Sequence, residues 1–260
     1  MNWDSKEEVL EAVTDYPSLL EYASERLKDD KDVVLAAVKS NGYVLTYASD
    51  RLRDDKEVVL EAVKSRVFSL KYASERLKDD KSFILTVICN NRRRALKYVS
   101  ERLRNDKEVV LAAVKGNGYV LKYASDRLKD DKEVVLEAVK KDGALGLASK
   151  RLRDDKDTVL TAVKSRAFSL VYASKRLKGD KEVVLAAIRK HERALEFARE
   201  CARDDKDIIL EAVKKDGALL ALASERLRDD TEFISAIVSK DRRVLKYASE
   251  RLRKLLAKVN

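Results

Sequence analysis

Residues 31–55 read KDVVLAAVKSNGYVLTYASDRLRDD and residues 56–80 read KEVVLEAVKSRVFSLKYASERLKDD. The same phrase returns from Lys107, Lys132, Lys156, Lys181 and Lys206, and in weaker copies from Lys6, Lys81 and Thr231. The step is 25 residues, lengthened to 26 from Lys81 and shortened to 24 from Lys132. Self-similarity at such a period marks a repeat architecture and outranks any local reading. Ten units starting near 6, 31, 56, 81, 107, 132, 156, 181, 206 and 231 fill residues 6–255, so the expected organisation is one repeat domain over 1–260.

Each unit carries two helical patterns. In the first, Lys56 to Lys64, the residues Val59, Leu60 and Val63 share one face at a period of 3.6. Asp54 and Glu57 have capping-box spacing, as do Asp4 with Glu7 and Asp130 with Glu133. In the second pattern, Tyr43 to Arg53, Leu45, Ala48 and Leu52 recur at i, i+3 and i+7, and the closing basic residues suit the negative helix pole. Between the two stand Asn41-Gly42, Asn117-Gly118, Asp142-Gly143 and Asp216-Gly217. Such dipeptides also make strand hairpins, but the flanking period is helical, and each glycine reads as the left-handed residue ending the first helix.

Helices this short are marginal alone. They need to be layered side by side, which predicts an all-α fold, an α-solenoid of ten helical hairpins. At about 8–10 Å per packed layer, the array would extend on the order of 100 Å. The extension 254–260, with Leu255, Leu256 and Val259, is expected to cover the open core at one end, and Trp3 at the other.

The phrase K-E-V-V-L-x-A-V-K-x-x-G-x-x-L-x-Y-A-S-x-x-L resembles the repeats of the domain of unknown function 4116 family, whose unit spans about two of those above. The resemblance covers nearly the whole chain and implies a helical-repeat protein. It brings no activity, cofactor or partner. The chain departs from the phrase in the eighth unit, where Cys201-Ala202 replace Arg-Leu, and in the tenth, where Ser235 stands for leucine. VKSRVFSL at 63–70 matches VKSRAFSL at 163–170, and KKDGAL at 140–145 matches 214–219. That unevenness reads as segmental duplication, with an engineered consensus array as the alternative.

Composition bounds the function. Charged residues make up 39% of the chain, well above the usual quarter, which suits a thin fold rich in surface. One proline, Pro17, and seven glycines leave little room for linkers. No apolar run is long enough for a membrane span, and no basic-then-apolar leader opens the chain. Cys89 and Cys201, far apart and without a CxxC, read as reduced, partly buried thiols, and the expected location is cytoplasmic. No nucleotide, zinc or calcium motif occurs. The single histidine, His191, reads as a solvated turn residue, and the repeated Asp-Asp pairs read as helix caps rather than as a metal site or an acid/base pair. The expectation is a protein that is not an enzyme and needs no cofactor or metal. Tyr22, Tyr47, Tyr72, Tyr98, Tyr123, Tyr172 and Tyr247 share one repeat position with Phe197, Leu147 and Leu222. A base-stacking platform is conceivable there, but core packing with the hydroxyl near the surface fits the mixture better.

The net charge of +10 is uneven. Residues 1–30 hold three basic against nine acidic side chains; 81–106 hold seven against two, and 231–260 eight against three. The inter-helix turns and the start of the second helix vary most, and their arginine and aromatic residues are the usual hot-spot types. The partner-binding candidates are Tyr43, Arg66, Phe68, Arg92, Arg93, Arg94, Tyr119, Arg166, Phe168, Arg189, Arg193, Arg242 and Arg243. Three uses follow: a protein partner with an acidic, extended surface; nucleic acid along the basic turn row; or head-to-tail self-association of the acidic first and basic last units. The expected state is a monomer or a weakly self-associating chain.

Overall fold

The computed structural model describes residues 1–90 and 93–257, with Arg93 described by its backbone. It is built of helices and turns, with no strand among the described residues. It forms two compact units, Met1–Leu128 and Lys129–Asn260, called here the first and second halves. Each repeat opens with a long α-helix: Lys6–Asp15, Lys31–Ser40, Lys56–Ser65, Lys81–Cys89 and Lys107–Val114 in the first half. In the second half these are Lys132–Asp142, Lys156–Ser165, Lys181–Lys190, Lys206–Val213 and Thr231–Val238. Helix Lys56–Ser65 buries Val58, Val59, Ala62 and Val63. This stripe is wider than the expected Val59–Leu60–Val63 face, and Leu60 is only half-buried.

The second pattern is not one helix. It divides into a 3₁₀ helix, Gly42–Tyr47 in the second repeat, and a single α-turn, Asp50–Arg53. Leu45, Ala48 and Leu52 are buried as their spacing requires. The break lies at Ala48 and Ser49, both extended. It frees the Ser49 amide to donate to the Lys28 carbonyl of the preceding repeat at 3.0 Å, as Ser74 does to Arg53 at 2.9 Å. A continuous helix would direct that amide into its own turn and leave the preceding short helix with an unmet carbonyl.

The Asp-Asp pair is split between two tasks. Asp55, not Asp54, caps the long helix, accepting from the Glu57 and Val58 amides at 2.9 and 3.1 Å. Ser5 takes this place instead of Asp4, and Asp131 instead of Asp130. Glu57 does not reach back to the cap; it pairs with Lys31 of the preceding repeat. Asp54 is turned toward the next repeat. The Ser74 hydroxyl donates to its carboxylate, Arg76 Nε donates at 2.8 Å, and Arg76 Nη2 donates to its carbonyl at 2.9 Å. Ser74 Oγ also accepts from the Leu77 amide at 3.1 Å, so one hydroxyl caps the short helix and joins two repeats.

This Asp–Ser–Arg staple recurs in the first half as Asp4–Ser24–Arg26, Asp29–Ser49–Arg51 and Asp79–Ser100–Arg102, and Asn105 replaces the aspartate beside Ser125 and Arg127. The second half has Asp130–Ser149–Arg151, Asp154–Ser174–Arg176, Asp204–Ser224–Arg226 and Asp229–Ser249–Arg251. A lysine ladder runs beside it. Lys31 reaches Asp55 and Glu57 at 2.9 and 2.8 Å; Lys81 reaches Asp106 and Glu108, and Lys156 reaches Asp180 and Glu182. Thr231 stands where the other repeats carry this lysine.

The glycines differ from expectation as well. Only Gly143 has the left-handed backbone, with φ of 61°. Gly42, Gly118 and Gly217 instead open 3₁₀ helices, behind side chains of Asn41, Asn117 and Asp216 that accept from the amides two residues on. Gly42 is required by closeness: a Cβ there would lie 2.1 Å from the Ala62 carbonyl oxygen in the next repeat. At the far end, helix Glu250–Ala257 buries Leu252 but leaves Leu255 47% exposed and Leu256 half-buried. Val259 lies outside the described residues. Trp3 is half-buried, its ring 5.5 Å from that of Tyr22. Both cysteines are exposed, not partly buried.

Candidate interaction face

A 3₁₀ helix has three residues per turn, so positions i and i+3 eclipse. Phe68 therefore stands over Lys71, Arg94 over Lys97 and Tyr119 over Lys122, and all six are exposed. The inward face of the same segments closes the core, with Leu70, Leu96 and Leu121 fully buried. The exposed rings are thus surplus to the core. An α-period reading of this stretch misses the pairing, because residues three apart on an α-helix diverge by about 60°.

In the first half the rings touch one another across repeats. Phe68 lies 6.3 Å from Tyr43, stacked, and 5.7 and 5.8 Å from Tyr72 and Tyr98, edge-on; Tyr43 meets Tyr72 at 5.5 Å. Tyr43 and Phe68 keep 43% and 37% of their surface in solvent. The shared-position tyrosines are half-buried at 47, 72, 98 and 123, with Tyr22 61% exposed, so they line the edge of the face rather than the core. Lys71 Nζ sits 5.7 and 5.8 Å from the Phe68 and Tyr72 rings; Lys97 and Lys122 sit 5.3 and 4.9 Å from Tyr98 and Tyr123. These distances are within cation–π range. The segments Val67–Tyr72, Arg93–Lys97 and Gly118–Tyr123 contain no carboxylate.

The second half has a smaller cluster. Phe168 lies 4.9 Å from His191 and 5.8 Å from Phe197. His191 is not a freely solvated turn residue: its Nδ1 accepts from the Arg193 amide at 3.3 Å and so caps the 3₁₀ helix Glu192–Phe197. Several arginines there are engaged within the chain. Arg193 pairs with Glu196 at 2.7 Å, Arg243 with Asp241 at 3.0 Å, and Arg189 approaches Glu211 at 3.6 Å. Arg66, Arg166 and Arg242 are exposed. Arg92 and the side chain of Arg93 lie outside the described residues. The lysines over the rings, Lys71, Lys97 and Lys122, were absent from the sequence-based candidates. Their signal is a lysine directly before the tyrosine in consecutive repeats.

The staple and ladder groups are held in their charged forms by their partners. The Ser74 hydroxyl, and then Arg76, hold Asp54 below the usual carboxylate range. Partial burial pushes Asp55 upward, but Lys31 and the Val58 and Glu57 amides outweigh it and keep it low. Lys31 is raised by Glu57 and Asp55. These groups are committed to holding repeats together, unlike the lysines that lie over rings.

Fold and face together define an all-α tandem-repeat scaffold. The chain belongs to the family described as Domain of unknown function (DUF4116), whose model matches residues 5–53, 30–78, 55–104, 80–129, 106–153, 131–178, 155–200 and 205–253. Each match spans two of the 25-residue repeats. The series pauses at 201–204, where Cys201-Ala202 break the phrase. No curated protein and no solved structure matches the chain. Among the described residues no helix is long and apolar enough to cross a membrane.

Proposed function

We propose that the chain is a non-catalytic scaffold that binds a protein partner through the exposed face of its 3₁₀ segments, centred on Tyr43, Phe68, Arg94 and Tyr119 with Lys71, Lys97 and Lys122. The observation that carries this reading is the contiguous ring cluster Tyr43–Phe68–Tyr72–Tyr98, left in solvent although the core beneath is closed. Clustered exposed rings mark interaction sites more often than chance placement does, and rings flanked by cations are typical binding hot spots. The absence of carboxylates from these three segments favours an acidic partner. Nucleic acid is the competing occupant, and the pairing of Arg193 and Arg243 with carboxylates in the chain weakens a continuous basic track.

The test uses the chain and its Phe68→Ala/Lys97→Ala variant as parallel baits, with circular dichroism confirming that both fold alike. Proteins held by the parent should be lost from the variant, with affinity for any purified hit falling about 30-fold or more. Hits retained equally by both baits would refute this face. Capture dominated by nucleic acid, and abolished by nuclease, would move the reading to the alternative.

A further inference from the structure

The charge on the first-half face changes sign along its length. Its five 3₁₀ segments, from Pro17–Tyr22 to Gly118–Tyr123, pack side by side in chain order. The residue directly before the shared ring reads Glu21, Thr46, Lys71, Lys97 and Lys122 in turn. Glu21 and the three lysines are exposed. Glu21 stands against the ring of the next repeat: burial first, then the charge of Glu21 and its hydrogen bond, raise the Tyr47 hydroxyl above its ordinary value. Two further exposed groups add to the contrast, Asp15 just before the first segment and Arg94 within the fourth. Between the acidic and basic ends lie the touching rings of Tyr43, Phe68 and Tyr72.

This order of charge separates the occupants. A foreign acidic chain laid along the face would be held at Lys71, Lys97 and Lys122 but repelled at Glu21. A second copy running in the same direction would set Glu21 on Glu21 and Lys97 on Lys97, and like charges brought together across an interface act strongly against it. A two-fold axis through Phe68 would set Lys71 on Lys71. An axis between Tyr43 and Phe68 avoids all three conflicts. It reverses the order of repeats, so that the first meets the fourth and the second meets the third. Glu21 then faces Lys97, Thr46 faces Lys71, and Tyr43 faces Phe68. Each of these contacts occurs twice, and the assembly closes at two chains. Its centre is aromatic and its rim charged, as in other specific interfaces.

We infer that the first-half face pairs with the same face of a second copy of this chain, antiparallel, with Glu21 of each copy against Lys97 of the other. This rests on the reading that the face binds protein, and it names the partner. It differs from a head-to-tail joining of terminal repeats, which would continue from chain to chain without closing.

Sedimentation velocity of the whole chain, at low salt and rising concentration, tests it. The parent should pass from monomer to dimer with no larger species. Glu21→Lys and Lys97→Glu should each weaken dimerisation about tenfold or more, because each puts like charges together at two symmetric contacts. The double variant Glu21→Lys/Lys97→Glu should return to within about twofold of the parent, as residues that act as a pair do. Lys246→Ala, in the second half, removes a lysine that lies over its tyrosine in the same way and should leave dimerisation unchanged. Circular dichroism checks that every variant folds like the parent. A double variant no tighter than either single would overturn the register. A parent that stays monomeric at every concentration, or that grows past the dimer, would overturn the inference. If the bait variant above still loses its proteins while the parent is monomeric, the protein-binding reading survives that failure.

Discussion

Asp54 and Asp55 are adjacent and chemically identical, yet one joins repeats and the other caps a helix. Sequence shows the pair recurring but not which member does which, because that depends on the path of the next repeat. The sidedness becomes visible only once Ser74 and Arg76 are seen on one carboxylate and the Val58 amide on the other. The same holds for Gly42: its dipeptide signals a turn, but the glycine is required by a neighbouring carbonyl rather than by a positive φ. The protonation of these groups sets a pH profile. Asp29, Asp54, Asp79, Asp130, Asp204 and Asp229 are all held low by a serine hydroxyl and an arginine. A depressed folded pKa gives stability that is present above the unfolded value of about 3.9 and is lost as pH falls through the folded value. Lys31, Lys81, Lys132, Lys156 and Lys181 are raised by their paired carboxylates. Their contribution is complete below about pH 10.4 and fades as pH climbs through the folded values. Thermal melts across pH should therefore show a flat Tm from about 5 to about 9, with a fall on both sides. A Tm that drops steadily from neutrality to pH 5 would show that these pairs do not govern stability.

Helical periodicity located both patterns of each repeat and the buried Leu45, Ala48 and Leu52. It could not show that the second pattern breaks at Ala48, because the cause is a hydrogen bond to another repeat. One junction shows how the elements depend on that seam. Between the repeats starting at Lys156 and Lys181, all three staple positions change together: Gly179 replaces the aspartate, Arg199 the serine and Cys201 the arginine. The backbone link persists, with the Arg199 amide donating to the Lys178 carbonyl at 3.0 Å, and Lys156 still pairs with Asp180 at 3.0 Å. Cys201 Sγ occupies the vacated space, 2.7 Å from where a Cβ on Gly179 would stand. The three sites should therefore be coupled. Gly179→Asp alone should lower Tm by about 2–4 °C, through overpacking of about 1 kcal/mol. The triple change Gly179→Asp/Arg199→Ser/Cys201→Arg should raise Tm above that of the parent, a non-additivity expected of residues in contact. Additive single effects would mean that the staple is not a cooperative unit.

The whole molecule is a succession of helices too short to persist alone, each stabilised mainly by its neighbours, so its stability is a sum of repeat and interface terms. Period, helical class and family were legible because they are carried by residues repeated in nearly every unit. The candidate face was legible in part. Tyr43, Phe68, Arg94 and Tyr119 stood out as variable turn residues, whereas Lys71, Lys97 and Lys122 were not among the candidates; the structure sets each over the ring of the tyrosine that follows it. The account divides the charges into two groups: those spent between repeats, and those left beside exposed aromatics for a partner. Hydrogen exchange of the whole chain, with and without a saturating protein partner recovered on the parent bait, tests that division most directly. The account expects slowed exchange in segments 67–72, 93–98 and 118–123, with the ladder helices unchanged. Slowing at the starts of the long helices, where the lysine ladder lies, and none in those three segments would contradict it.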